Sequence, residues 1–100
     1  MVKLEVISPA QLNLVDDWLG VKSALEGSSS NTLVAYRRDV LDFLSFLTIH
    51  SGNKNGASQL DSIDQVSMRS WIAENRRSGK TSRSIARQLS SVKSFYKWFA

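Results

Sequence analysis

The sequence predicts an all-α protein that folds as a compact bundle of four helices. Apolar residues recur every three or four positions in four separate segments, which is the spacing of one helical face. Glycine and serine clusters separate these segments, and no stretch shows a convincing strand pattern. The 100 residues, 42% of them hydrophobic, suit one domain over 1–100, in which residues 1–8 are a candidate disordered segment.

The first predicted helix runs from about Pro9 to Leu25. It opens on Ser8-Pro9, because serine can cap the free amides and proline suits the first helical position. Gly27 and the serines at 28–30 are expected to end it. Its apolar stripe consists of Leu12, Val15, Trp18 and Leu19.

The second predicted helix begins at Ser29 or Ser30 and ends near His50 to Gly52. The segment that follows, 52–58, is rich in glycine, asparagine and serine, and it is predicted to be a loop. We place this loop within the domain, since a boundary there would leave the flanking helices without a packing partner. The apolar face of the helix consists of Leu33, Tyr36, Val40, Phe43, Leu44 and Leu47.

Two further helices complete the predicted bundle. Asp64 or Ser67 caps the third helix, and Gly79 lies just past its end, where a left-handed cap is expected. The fourth helix begins at Thr81 or Ser82 and runs to the last residues. The predicted buried side of the third helix consists of Met68, Trp71 and Ile72. That of the fourth consists of Ile85, Leu89, Val92, Phe95, Tyr96, Trp98 and Phe99.

Positive charge is concentrated toward one end of the sequence. Residues 75–100 carry seven bases and no acid, whereas residues 1–74 carry six bases and nine acids, and the chain has a net charge of +4. Clustered lysine and arginine release counterions from a phosphate backbone, so this asymmetry favours an acidic polymer as partner. Many basic helices, however, are simply solvated.

The composition excludes several kinds of site. Without cysteine there is no disulfide and no thiolate zinc site. No apolar run approaches the ~20 residues of a membrane helix, and residues 1–6 do not resemble a signal peptide, so we expect a soluble cytoplasmic protein with no membrane partner. His50 is the sole histidine, and Tyr36 and Tyr96 lie on core faces. We therefore predict no catalytic residue, no metal and no cofactor.

One face of the fourth helix is the strongest candidate for function. Long basic side chains among small hydroxyls suit a helix in the DNA major groove, where lysine and hydroxyls bind phosphates and arginine reaches guanine edges. A merely solvated face is the alternative, which the pattern alone favours. The residues on this face are Arg83, Arg87, Ser90, Ser94 and Lys97, bordered by Lys80, Ser84 and Ser91.

The start of the second helix is a second candidate, because the exposed amides of a helix N-terminus bind phosphate readily. The alternative is that its polar residues belong to an ordinary first turn and that its arginines pair with Asp39 or Asp42, which the pattern alone favours. The candidate residues are Asn31, Thr32, Arg37 and Arg38.

Two segments resemble the core-binding domain of tyrosine recombinases, the Xer and phage integrase family. Residues 29–40, SSNTLVAYRRDV, are similar to the family's S-x-N-T-L-x-A-Y-R-R-D-L. Residues 83–99, RSIARQLSSVKSFYKWF, are similar to R-S-I-x-R-x-L-S-x-L-R-x-F-Y-x-F-L. Trp18-Leu19 stands where the family usually has an aromatic-Leu pair, and the likeness spans roughly residues 12–99. The sequence departs from the pattern at Ser28, where the family is usually apolar.

The resemblance implies a SAM-like four-helix domain that clamps double-stranded DNA together with a separate catalytic domain, its second and fourth helices facing the major groove. The residues it nominates are Asn31, Thr32, Arg37, Arg38, Ser82, Arg83, Ser84, Arg87, Ser90, Ser91 and Lys97. The basic face adds Lys80. The family's catalytic residues belong to a following domain that we expect to be absent from this chain, so this fragment is expected not to be an enzyme. The parent is expected to be a recombinase that assembles as a tetramer on paired DNA sites, and the isolated domain a monomer.

Two other functions fit the residues. A helical protein-interaction domain would place the basic face on an acidic partner surface, since one fold serves many functions. An unrelated basic helical module would bind RNA. The two motif segments favour DNA over both.

Overall fold

The computed structural model describes residues 7–51 and 65–99, with the backbone alone at positions 50, 51, 65 and 66. These residues form four α-helices. The helices are α1 (Pro9–Glu26), α2 (Ser30–Ser51), α3 (Gln65–Arg77) and α4 (Ser82–Phe99). No described residue lies in a strand, so the predicted all-α bundle is confirmed. None of the described helices is both long and apolar enough to span a bilayer.

Helix α1 begins as the sequence indicates. The hydroxyl Oγ of Ser8 accepts a hydrogen bond from the backbone N–H of Gln11, and Gln11 Oε1 accepts one from the backbone N–H of Ser8, both at 3.2 Å. This reciprocal capping box satisfies two amides at the start of the helix. At the other end Gly27 has φ of 61°, a left-handed conformation that glycine adopts without steric cost. The helix ends at Glu26, one residue beyond the predicted Leu25.

Hydroxyl caps also open α2 and α4. Ser29 Oγ accepts a hydrogen bond from the backbone N–H of Thr32, and Thr81 Oγ1 accepts one from the backbone N–H of Ser84, both at 3.2 Å. The sequence predicts Ser29 or Ser30 at the start of α2 and Thr81 or Ser82 at the start of α4, and in each pair the first residue is the cap.

Helix α3 differs from its prediction at the start and agrees at the end. It begins at Gln65, so Ser67 lies inside the helix and its prediction as a cap is wrong. Asp64, the other predicted cap, lies outside the described residues. Gly79 follows the helix with φ of 88°, as predicted, and its backbone N–H bonds to the carbonyl of Arg76 at 3.0 Å.

The middle of α2 lies at the centre of the bundle because the other three helices all pack against it. Consecutive residues 39–45 are buried, the polar ones included. Phe43 contacts Trp71 of α3 with ring centroids 5.0 Å apart, and Trp18 of α1 contacts Phe95 of α4 at 5.4 Å. Such aromatic burial dominates the energetics of a small core. The predicted core faces are therefore confirmed except at Leu33 and Leu89, which are half-buried and lie outside the core cluster.

Several predictions concern residues outside the described ranges. They include the loop at 52–58, residues 1–6 and the side chain of His50. Within the segment 1–8, the described residues are Ile7, which is 5% exposed and packs on the core, and Ser8, which caps α1.

Candidate nucleic-acid interface

Helix α4 presents an exposed basic face. Arg83, Ser90 and Lys97 are exposed along it, as the spacing predicts. Lys93 is exposed as well, three residues after Ser90 and four before Lys97, so it lies beside them on the same helical face. Lys93 is not among the residues predicted for this face, although its spacing from Ser90 and Lys97 is evident in the sequence. The helix contains no acidic residue, so nothing within it neutralises this face.

Arg87 lies at the edge of this face, where α4 meets α2. Its Nη2 atom donates a hydrogen bond to Oδ1 of Asp39 at 3.0 Å. The Asp39 side chain is 1% exposed and that of Arg87 is 49% exposed. The guanidinium therefore bridges from a buried carboxylate to the surface. This pair joins residues 48 positions apart in the chain.

The serines nominated on α4 divide into buried and exposed groups. Ser91 is 2% exposed, and its hydroxyl donates to Oδ2 of Asp39 at 3.0 Å. Ser84 is half-buried and accepts a hydrogen bond from the Thr81 hydroxyl. Ser82 and Ser90 are exposed. Ser91 thus helps to hold the two helices together, and the exposed serines are the ones whose hydroxyls a ligand can reach.

A second buried carboxylate of α2 lies near another nominated base. Oδ2 of Asp42 accepts a hydrogen bond from the indole Nε1 of Trp71 at 3.1 Å and lies 3.9 Å from Nζ of Lys80. The two carboxylates line the floor of an open groove between α2 and the start of α4. Its rim is basic, with Arg38, Lys80 and Arg87 around it.

Arg38, in the first half of α2, borders the same groove. Asn31 and Arg38 are exposed, and Val34 lies between them on the same face with 58% of its surface exposed. Thr32 is half-buried, and its hydroxyl shares a hydrogen bond of 2.9 Å with that of Ser29. Of the four residues nominated on this helix, Asn31 and Arg38 are thus exposed, and Thr32 and Arg37 are half-buried.

Arg37 is held by a neighbouring helix. Its Nε atom donates to Oδ1 of Asp16 on α1 at 3.2 Å, and both side chains are about half exposed. The alternative in which Arg37 pairs with Asp39 or Asp42 is wrong, because both carboxylates turn inward toward α3 and α4.

Both tyrosines pack in the bundle. The rings of Tyr36 and Trp18 lie 5.9 Å apart, and those of Tyr96 and Phe43 lie 6.1 Å apart. Burial raises the pKa of the Tyr96 hydroxyl, because ionisation would place a charge in an apolar region. In the part of the chain that the structure describes, no three acidic or histidine side chains are grouped so that they could hold a metal ion.

Comparison with known proteins agrees with this architecture. The family described as "Phage integrase, N-terminal SAM-like domain" matches residues 15–100. The tyrosine recombinase XerC of Brucella suis is 33% identical over 93 residues, which are 90% of this chain and 30% of that protein. XerC of Rickettsia typhi is 33% identical over 85 residues, 85% of this chain and 28% of that protein.

A third relative is XerC of Rhodospirillum centenum, which is 35% identical over 72 residues, 72% of this chain and 21% of that protein. The chain thus spans between 21% and 30% of the length of these three relatives. No solved structure matched it significantly. The family match covers most of the chain and includes all of α2, α3 and α4, with most of α1. The chain therefore belongs to the family of phage integrase N-terminal SAM-like domains.

Proposed function

We propose that this chain is the DNA-binding module of a site-specific tyrosine recombinase, and that α2 and α4 contact one half-site of double-stranded DNA. Other parts of that recombinase would cleave and rejoin the strands, and the whole would assemble as a tetramer on paired sites. The observation that carries the proposal is the exposed face of α4, which bears Arg83, Lys93 and Lys97 and has no acid in the helix.

The chemistry of this face suits a phosphate backbone. Lysine and arginine that neutralise phosphates release condensed counterions, which is a large favourable term for any duplex. Ser90 and Ala86 lie between the basic residues on the exposed side and are small. Small residues at the centre of the face would let the helix backbone approach the floor of a major groove.

The exposed start of α2 would extend the contact. Arg38 borders the groove beneath Arg87, and Asn31, seven positions earlier, is exposed on the same side of α2. Asparagine can bond adenine with two hydrogen bonds, and arginine can bond guanine or a phosphate. The exposed Val34 between them is suited to apolar contact with a thymine methyl group.

The test compares duplex binding by the wild-type chain with that by a triple variant, Arg83→Ala, Lys93→Ala and Lys97→Ala. Removal of three phosphate contacts should reduce the slope of log affinity against log salt by about 2 to 3. It should also weaken binding at low salt about tenfold or more. Fluorescence anisotropy with a labelled mixed-sequence duplex measures both. Arg87 is left intact because its removal would leave the buried Asp39 without its cation.

The matched control removes two exposed bases of α3, Arg69→Ala and Arg76→Ala. These arginines lie outside the proposed surface, so the slope should change by less than about one. Thermal unfolding of both variants should stay close to that of the wild type, because all five residues are exposed. Equal losses in the two variants, or unchanged binding by the triple variant, would overturn the proposal. Unchanged duplex binding together with lost binding to an acidic protein surface would favour the protein-interaction function.

A further inference from the structure

Arg87 is held differently from the other bases of α4, because it contacts the carboxylate of Asp39. Arg87 is half exposed and is tied at one nitrogen to a carboxylate that is 1% exposed. Ser91 donates to the second oxygen of the same carboxylate, so Asp39 has a partner on each oxygen. Arg83, one helical turn earlier, forms no ion pair with any other described residue. Two arginines on one helix thus differ in how firmly they are held.

A held guanidinium has consequences for recognition. Arginine has five N–H donors in a planar fork, and the bond to Asp39 uses one of them. The remaining donors lie on an exposed side chain whose rotation is restricted. An arginine that is already ordered loses less side-chain entropy when it bonds a second group, and its planar fork matches guanine O6 and N7.

The Asp39 carboxylate also weakens the general electrostatic attraction between this surface and DNA. A buried negative charge directly beneath a phosphate-binding surface offsets the positive charge of Arg87 there. Such an arrangement does not increase affinity for every duplex, as a free arginine would. It is suited instead to holding the remaining N–H donors of Arg87 in one orientation.

We propose that Arg87 reads a guanine edge in the major groove, that Asp39 is the positioning residue that aims it, and that Lys93 and Lys97 supply phosphate contacts. This inference rests on the proposed function, because it assigns separate roles to residues of the same surface. Its consequence is that the charge of Arg87 matters less than the shape of its guanidinium. Lysine at this position keeps the charge and loses the fork.

The experiment selects bound molecules from a pool of short DNA duplexes with randomised centres, using the 100-residue chain at low salt. Sequencing of the bound fraction gives a base-preference profile. The wild-type chain should prefer guanine about 5-fold or more at one position, which is the discrimination of a bidentate arginine contact. Arg87→Lys should abolish that preference and leave the salt slope on a mixed-sequence duplex unchanged. Asp39→Asn should reduce the preference at the same position about threefold or more.

The matched controls distinguish the effect of the orientation of Arg87 from the effects of charge and of folding. Arg83→Lys should leave the guanine preference intact, and Lys93→Ala should lower the salt slope by about 0.9 without altering the profile. Asp39→Asn removes a negative charge, so its affinity for a mixed-sequence duplex should be equal to or higher than that of the wild type. A purely structural role of Asp39 would instead lower affinity for all duplexes together. If Asp39→Asn does not fold, as judged by circular dichroism, Arg87→Lys decides the matter, because its side chain is half exposed.

The outcomes distinguish this inference from the proposed function. A wild-type chain that binds duplexes with a flat profile, or an Arg87→Lys variant that keeps the guanine preference, would overturn the base-reading role and leave the DNA-binding function standing. Absence of any duplex binding at low salt would overturn both.

Discussion

The interaction partners of individual side chains are what local sequence spacing predicts least well. Arg38 and Asp42 are spaced as an i, i+4 helical pair, which is worth only about 0.3–0.5 kcal/mol. In the fold, Asp42 instead accepts a hydrogen bond from Trp71, and Asp39 accepts from Arg87. Both partners come from helices far away in the sequence, so their positions depend on tertiary packing. Arg87 is therefore predictable from the sequence as an exposed base, whereas the carboxylate that holds it is not.

Tyr96 provides a test at the same scale. Among the described residues its hydroxyl is one of three side-chain groups that are buried without a hydrogen-bond partner. Tyr96→Phe removes that unpaired group, so the free energy of unfolding should rise by about 1 kcal/mol at neutral pH. Urea denaturation measures the change. Tyr36→Phe is the control and should change stability by less than about 0.5 kcal/mol. A loss of stability in Tyr96→Phe would contradict this account.

The same tyrosine predicts a pH dependence. Burial raises its pKa above the ordinary value of about 10, so the folded state keeps its proton where the unfolded state has lost it. The stability of the wild-type chain should therefore fall as the pH rises above about 10. The advantage of Tyr96→Phe over the wild type should grow over the same interval, measured by urea denaturation from pH 7 to 11. A constant difference across that interval would show that Tyr96 does not titrate abnormally.

At the scale of the helices, the ends were the most predictable feature. Ser8, Ser29 and Thr81 cap as expected because a hydroxyl that accepts from a first-turn amide is a local interaction. Gly79 likewise adopts the left-handed conformation that its place after α3 indicates. The start of α3 is predicted less well, because the sequence offers two capping residues three positions apart, Asp64 and Ser67.

At the same scale, substitution of two glycines by alanine should change the stability of the chain in opposite directions. Gly20 is exposed within α1, and an added methyl group would meet no atom within 4 Å, so Gly20→Ala should stabilise the chain by about 0.5–1 kcal/mol. Gly79 has an equally open surrounding but φ of 88°, so Gly79→Ala should destabilise it by about 1–2 kcal/mol. Thermal or urea unfolding of both variants measures these changes. Effects of the same sign would contradict the conformational argument.

At the scale of the whole molecule, the central position of α2 determines what the surface can present. A single-face pattern predicts Val40, Phe43 and Leu44 as core residues, and all three are buried. It does not predict that residues 39–45 are all buried, because that requires helices on several sides of α2. The burial of these residues leaves Asn31 and Arg38 as exposed polar residues earlier in α2, and Arg38 borders the groove beside α4.

Helices α2 and α4 form the surface that we propose holds DNA. The most direct measurement is a titration of the ¹⁵N-labelled chain with a DNA duplex, followed by amide chemical shifts at two salt concentrations. We expect shifts concentrated in the first half of α2 and along α4, which weaken at the higher salt concentration because phosphate contacts are screened. Shifts confined to α1 and α3, or no shifts at the lower salt concentration, would contradict this proposal.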